Sequence, residues 1–268
     1  FYTVNYTFYN FYLIILNTSL SFLIIVITIW VLDLFYAHSI NNHLTGFWYW
    51  FALLILLDFA YYVLHVVDHQ SRFFWAIHVT HHNSELFNLT TGFRSSVFQP
   101  LYRFIYFIPL AMLGFSAIDI LFMHSICQTW GVLVHTKYIK RMPAWVEMIF
   151  VTPSHHRVHH ASNILYLDRN MGMFLIIWDR IFNTFQDEVE WEKVKYGLTK
   201  NVEKITPITV WNHEWIAIWK DLKRSDKWSD KLKYIFYPPG WSHDGSSKTT
   251  SELREEISLG FTPEHLKI

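Results

Sequence analysis

No lysine or arginine occurs before Arg72, and all 22 lie from there onward. Charge is sparse throughout: 16% of residues are Asp, Glu, Lys or Arg, against about 25% in ordinary soluble domains. A chain so poor in charge and 52% hydrophobic points to lipid as part of its solvent. The formal net charge is zero, so nothing favours nucleic acid as a partner. Cys127 is the only cysteine, which excludes an intrachain disulfide, and its apolar neighbours mark a small buried residue rather than a nucleophile. His-Glu-x-x-His is absent, and that weakens a zinc hydrolase reading, which needs a carboxylate base among its ligands. There is no repeat at fixed period and no low-complexity linker. The chain opens at Phe1 within apolar sequence; the expectation is a truncated N-terminus, so a missing signal peptide carries no information.

What is present begins with residues 11–35, an apolar run long enough to cross a hydrocarbon core of about 30 Å. A polar turn at 38–45, with Asn41, Asn42 and His43, leads to a second span at 46–67. That span ends on Asp58, Tyr61, Tyr62 and His65, and ionisable groups at membrane depth usually face protein or a water-filled cavity. Residues 72–96 are polar. Residues 97–113 and 117–134 then read as an apolar hairpin turning at 114–116, with Arg103 in its first arm. The apolar run 171–185 is too short to span, and its Asp179 and Arg180 are expected to anchor it. The bare turns at 38–45 and 114–116 would face away from the cytoplasm by the positive-inside rule, which places both termini and every histidine box on the cytoplasmic side.

The expected fold is therefore an all-α, multi-pass integral membrane protein, with about four transmembrane helices and a cytoplasmic helical cap carrying a histidine-rich dimetal site. One domain covers residues 1–268: 1–67 the first two transmembrane helices, 68–96 the cytoplasmic histidine boxes, 97–134 the hairpin, 135–268 the cap and tail.

The chemistry lies in three histidine boxes: His65-x3-His69, His78-x2-His81-His82 and His156-x2-His159-His160. On a helix each spacing gathers its imidazoles on one face. Thr152 as N-cap and Pro153 at the first helical position predict that a helix begins there. Eight histidines exceed one four-coordinate zinc and suit two metals with open positions. His135, where the fourth helix reaches the same surface, is a ninth candidate. His155, His124, His38, His43, His213, His243 and His265 are read as hydrogen-bonding or exposed. Insertion of oxygen into an unactivated C–H bond needs a redox metal, and imidazole suits iron.

These boxes resemble those of the membrane fatty acid hydroxylase and sterol desaturase superfamily. The similarity extends through DFAYYVLHVVDH (58–69), FWAIHVTHHNSELFNLTTGFRSSVFQ (74–99), HTKYI (135–139), TPSHHRVHH (152–160) and LDRNMGMFLIIWDRIFNTF (167–185), then YGLT (196–199) and PPGW (238–241). The resemblance implies that His65, His69, His78, His81, His82, His135, His156, His159 and His160 hold two non-haem irons. It also implies that the substrate is a membrane lipid attacked with O2. The branch most similar hydroxylates the ether-linked carbon of glyceryl ethers, giving an aldehyde and glycerol, with tetrahydrobiopterin as electron donor. Gln70 departs from that pattern: members can carry an acid directly after the first box, a difference that bears on the reductant. Asn88 and Asp168 are the polar residues expected to support the imidazoles or a lipid head; Glu85, Arg94 and Asn170 carry no assignment. Hydroxylation or desaturation of a sterol, carotenoid or fatty acid is the alternative on the same scaffold. The sequence gives no oligomeric state.

Overall fold

The computed structural model describes residues 3–40, 43–94 and 96–259; Asn41, Asn42 and His265 lie outside them. The described residues hold only helices and loops, apart from two isolated bridges. Helix α1, Val4–Tyr36, has 33 residues and starts before the expected span. Apolar side chains cover it all round, and Phe22, Leu23 and Val26 are 79%, 76% and 72% exposed. A surface of that kind fits hydrocarbon rather than water. Helix α2, Gly46–Gln70, continues past the expected 67 and carries both His65 and His69. These two are the helices long and apolar enough to cross a membrane among the described residues.

After extended Ser71 the chain turns into α3, Arg72–His82, which packs back against α2. Helix α4, Leu89–Gly92, follows. The first arm of the expected hairpin is broken into α5, Pro100–Arg103, a 3-10 turn, Phe104–Phe107, and α6, Ile108–Met112. Pro109 is the physical reason: it has no N–H to donate to Ile105 and clashes with a continuing helix, so the arm restarts there. Gly114, at φ +89°, makes the turn, and the Ser116 hydroxyl caps α7, Ala117–Leu133, by accepting from Asp119 N. Leu32, Leu53, Leu57, Phe107, Phe115, Ile120 and Cys127 interlock α1, α2, α6 and α7 into the main apolar core.

Helix α8, Ala144–Ile149, precedes α9, Pro153–His159, the helix predicted from Thr152 and Pro153. Within 171–185 only Ile177–Ile181 is helical (α10). The rest is irregular backbone held by buried carboxylates. Asp58 accepts from Phe174 N, Leu175 N and Trp178 Nε1, each at 3.0 Å. Asp179 accepts from Met171 N at 2.6 Å and Gly172 N at 2.7 Å, while Arg180 donates to the Glu147 carbonyl. Three further helices, α11 (Thr209–Leu222), α12 (Trp228–Phe236) and α13 (Thr250–Ser258), complete the described chain. Buried Arg72 pins α3 to α11 through Glu214 at 2.7 Å and Asp221 at 2.8 Å.

Candidate metal centre

The nine histidines meet in two groups. His65, His69, His78, His82 and His159 form one, and His81, His135, His156 and His160 the other; within each, candidate ligand atoms lie within 4.8 Å of one another. Each His-x2-His-His box is divided rather than converging on one point. From α3, His78 and His82 enter the first group and His81 the second; from α9, His156 and His160 enter the second and His159 the first. The helical repeat dictates this. At about 100° per residue, positions i and i+4 diverge by about 40°, whereas i+3 lies about 60° off on the other side. The two boxes are thus used reciprocally.

Backbone carbonyls fix the tautomers. Nδ1 of His65, His81, His135 and His159 lies 2.7, 2.9, 2.7 and 3.0 Å from the carbonyl oxygens of Met171, Arg94, Gly131 and Arg169. A carbonyl only accepts, so the proton sits on Nδ1 and the Nε2 lone pair is free. Those Nε2 atoms converge. His135, His156 and His160 form a triangle with sides of 3.0, 3.1 and 3.1 Å. His65 and His82 place Nε2 at 3.0 and 3.2 Å from His78 Nε2, and the Nε2 atoms of His69 and His159 are buried without a partner. Lone pairs facing one another repel unless a cation lies between them. Two nitrogens about 2.1 Å from one ion and 90° apart are separated by about 3.0 Å, against about 3.4 Å for tetrahedral angles. The donor set therefore fits metal. Burial, reinforced by neighbouring imidazoles, lowers the pKa of His78, His82, His156, His159 and His160 well below 6.5, and pushes His81 down to about 4. Neutral imidazole is the form that binds metal.

Asp168 touches a histidine directly: its Oδ1 accepts from His69 Nδ1 at 3.0 Å. Burial pushes its carboxyl pKa up, but the hydrogen bond and charge of His69 outweigh that and hold it below 3.8. Asp168 and Asn170 both adopt positive φ, +48° and +55°, a conformation Asp and Asn tolerate better than most. This turn presents Asp168 to His69 and the intervening Arg169 carbonyl to His159. Asn170 locks it by donating to the carbonyls of His155 and Gln186. Asn88 instead caps α4, its side-chain oxygen accepting from Thr90 N and Thr91 N. The last residue of that helix, Gly92, backs onto His135. His155 stays outside both groups, accepting from Thr152 N through Nδ1.

Three supporting residues escaped sequence reasoning. Asp68, fully buried, holds Gln99 and Tyr102 and lies 3.6 Å from His78 Nδ1. Arg94, also fully buried, bonds Thr80 O, Asn10 and Asn83 while offering its carbonyl to His81. Arg157 saturates its guanidinium on Glu188 and the carbonyls of Thr136, Ile139 and Lys140, fastening the loop after His135. A charged residue inside a histidine box was the available signal for Asp68 and Arg157.

Two cavities reach the histidines from opposite sides. One of about 350 Å³, among α1, α2 and α7, is lined by His65, His78, His81, His135 and His156. The other, of about 360 Å³, lies under α11 and α13 and touches His69, His82 and His159.

Apolar helices that carry a buried, two-part histidine cluster open to cavities define a histidine-box membrane protein whose cluster could hold metal. The chain belongs to the fatty acid hydroxylase family, whose model matches residues 50–184, a stretch holding all nine histidines. It is 39% identical over 213 residues to alkylglycerol monooxygenase of Homo sapiens and 38% identical over 213 residues to that of Xenopus tropicalis, covering 78% of this chain and 46% of each relative. An ornithine lipid hydroxylase of Rhizobium tropici is 29% identical over 153 residues, 56% of this chain and 46% of that protein. The chain thus spans less than half the length of these relatives. No solved structure matches it.

Proposed function

We propose that this chain is the catalytic part of a multi-pass membrane di-iron monooxygenase that uses O2 to hydroxylate the ether-linked carbon of an alkylglycerol. The observation that carries the reading is the pair of histidine groups, with Nε2 atoms converging in each and protons held on Nδ1 of His65, His69, His81, His135 and His159. His65, His69, His78, His82 and His159 would hold one iron, and His81, His135, His156 and His160 the other. Iron bound there supplies the oxidising power that no side chain has. One oxygen atom enters the C–H bond and the other leaves as water, with two electrons from a donor such as tetrahydrobiopterin. The resulting hemiacetal falls apart to aldehyde and glycerol. Burial keeps the imidazoles neutral, while Asp168 and the Met171, Arg169, Arg94 and Gly131 carbonyls orient them by holding the Nδ1 protons. Four spans, with the histidines on the cytoplasmic side, are supported by the placement of all lysines and arginines after Arg72.

The test is His159→Ala in the iron-loaded protein, assayed for oxygen-dependent aldehyde release from a 1-O-alkylglycerol. Product formation should vanish while membrane insertion persists; retained turnover sinks the proposal. Metal analysis after anaerobic purification should give two irons per chain, whereas a single zinc would support hydrolysis instead.

A further inference from the structure

The cavity among α1, α2 and α7 is more polar than a lipid tail requires. Its far end is lined by Tyr61, Arg103, His124 and Gln128. Tyr61 stands one turn before His65 on α2, and His124 and Gln128 stand two to three turns before His135 along α7. Arg103 lies in the apolar stretch following α4, where a guanidinium is expensive unless a partner or water meets it. Yet its guanidinium makes no hydrogen bond or ion pair with any described residue. The obvious counter-ion is engaged elsewhere: Asp68 gives Oδ2 to Gln99 at 2.8 Å and Oδ1 to Tyr102 at 2.6 Å, and Arg103 feels it only through space. Gln128 Nε2 lies 3.3 Å from His124 Nε2 and the Gln128 side chain also meets the Tyr61 hydroxyl, so the three neutral side chains form one polar cluster beside the guanidinium. The far end thus offers a fork of strong donors, a hydroxyl and a neutral acceptor, while the near end is imidazole.

We propose that Arg103, Gln128 and Tyr61 bind the oxygen atoms of the glyceryl head of an ether lipid, Arg103 donating to them and Gln128 accepting from a hydroxyl. The histidines at the other end of the same cavity then receive the adjoining ether-linked carbon. This rests on the alkylglycerol reading above and adds the basis of its specificity: the enzyme selects its substrate by the head, and the reacting carbon is the one attached to it. A guanidinium suits the task because its planar fork reaches two neighbouring oxygens at once.

Binding to the detergent-solubilised, iron-loaded protein tests this, measured as ligand-induced thermal stabilisation. The probes are a 1-O-alkylglycerol, its 2,3-di-O-methyl derivative and a plain dialkyl ether of equal carbon count. The wild type should bind them in that order. Arg103→Gln and Gln128→Leu should each weaken alkylglycerol binding by about 10- to 100-fold, the loss expected for a hydrogen bond to a charged or buried group. Neither should change binding of the plain ether, and Arg103→Lys should fall between. Unchanged plain-ether binding and iron content show that a variant is folded. Variants that keep the wild-type preference for the diol overturn the headgroup site. If diol preference depends on Arg103 but no aldehyde is released, the activity reading fails and the headgroup site stands.

Discussion

The two histidine groups differ in how their imidazoles are held. In the group of five, His65 and His69 lean on partners far along the chain, Met171 and Asp168, while His159 leans on Arg169 and Asp68 lies beside His78. Two of these partners are carboxylates. In the group of four the Nδ1 partners among the described residues are carbonyls alone: Gly131, one turn before His135 on its own helix, and Arg94 for His81. A carboxylate behind an imidazole raises its basicity and couples the ion to distant structure, whereas a carbonyl only orients. Both groups line the cavity with Arg103, the group of five through His65 and His78, but only one of them also lines the second. The group of five presents His69, His82 and His159 to the space under α11 and α13, while the group of four opens only on the cavity with Arg103. One half is built to be tuned by the helices over it, the other to be rigid.

The largest effect expected from this contrast concerns ligand number. Removing one imidazole from four leaves three, but from five leaves four. His160→Ala should lower iron from two per chain to one and lose turnover, whereas His82→Ala should keep iron near two while turnover falls. Elemental analysis of the two purified variants side by side decides this, and equal iron loss would break the proposed asymmetry. Next in size is Asp168→Asn, which keeps the shape of the αL turn but removes the charge behind His69. Loss of such a partner costs roughly 10- to 100-fold in metal affinity or activity. The loss should fall on one ion only, visible as two phases in chelator competition where the wild type shows closer affinities. A uniform weakening of both ions would mean that the groups are not separately held.

Much of this was legible in the sequence, and the gaps have physical causes. Hydrophobic length alone marks the first two helices. Thr152 and Pro153 mark the start of α9, histidine spacing marks eight of the nine residues that the structure gathers, and the end of the fourth apolar helix marks the ninth, His135. The division of each box was implicit in the helical repeat, since i+3 and i+4 diverge by about 100°. It escapes a reading that treats i, i+3 and i+4 as one face. Pro109 carried the signal for the broken arm, overridden in sequence reasoning by the apolar run around it. The carbonyls of Met171, Arg94, Gly131 and Arg169 had no signal, because every residue has a carbonyl and only tertiary structure says which one meets an imidazole. Asp58 looked like a membrane-depth charge and Asp179 like an anchor for its own apolar run. Both are acceptors for backbone N–H groups of the irregular 171–176 segment, a need visible only once that segment fails to be helical.

The smallest effects separate two glycines on the rigid side. A Cβ at Gly92 would lie 2.9 Å from the Val132 oxygen and 3.0 Å from His135 Nδ1, closer than real Cβ contacts come. Gly92→Ala must therefore push α4 away from α7 or displace His135 from its Gly131 carbonyl. A cost of about 1–3 kcal/mol is expected for such overpacking, with weaker iron binding in the group of four and little change in the group of five. At Gly131, one turn before His135, the nearest atom to a new Cβ is Met173 Cγ at 3.6 Å, an ordinary contact. Because glycine inside a helix is less favourable than alanine by roughly 0.5–1 kcal/mol, Gly131→Ala should leave thermal stability equal or slightly higher and iron content unchanged. The two substitutions add the same methyl within one turn of the same imidazole. If both, or neither, disturb iron binding, then close packing of α4 on His135 is not what holds the second group rigid.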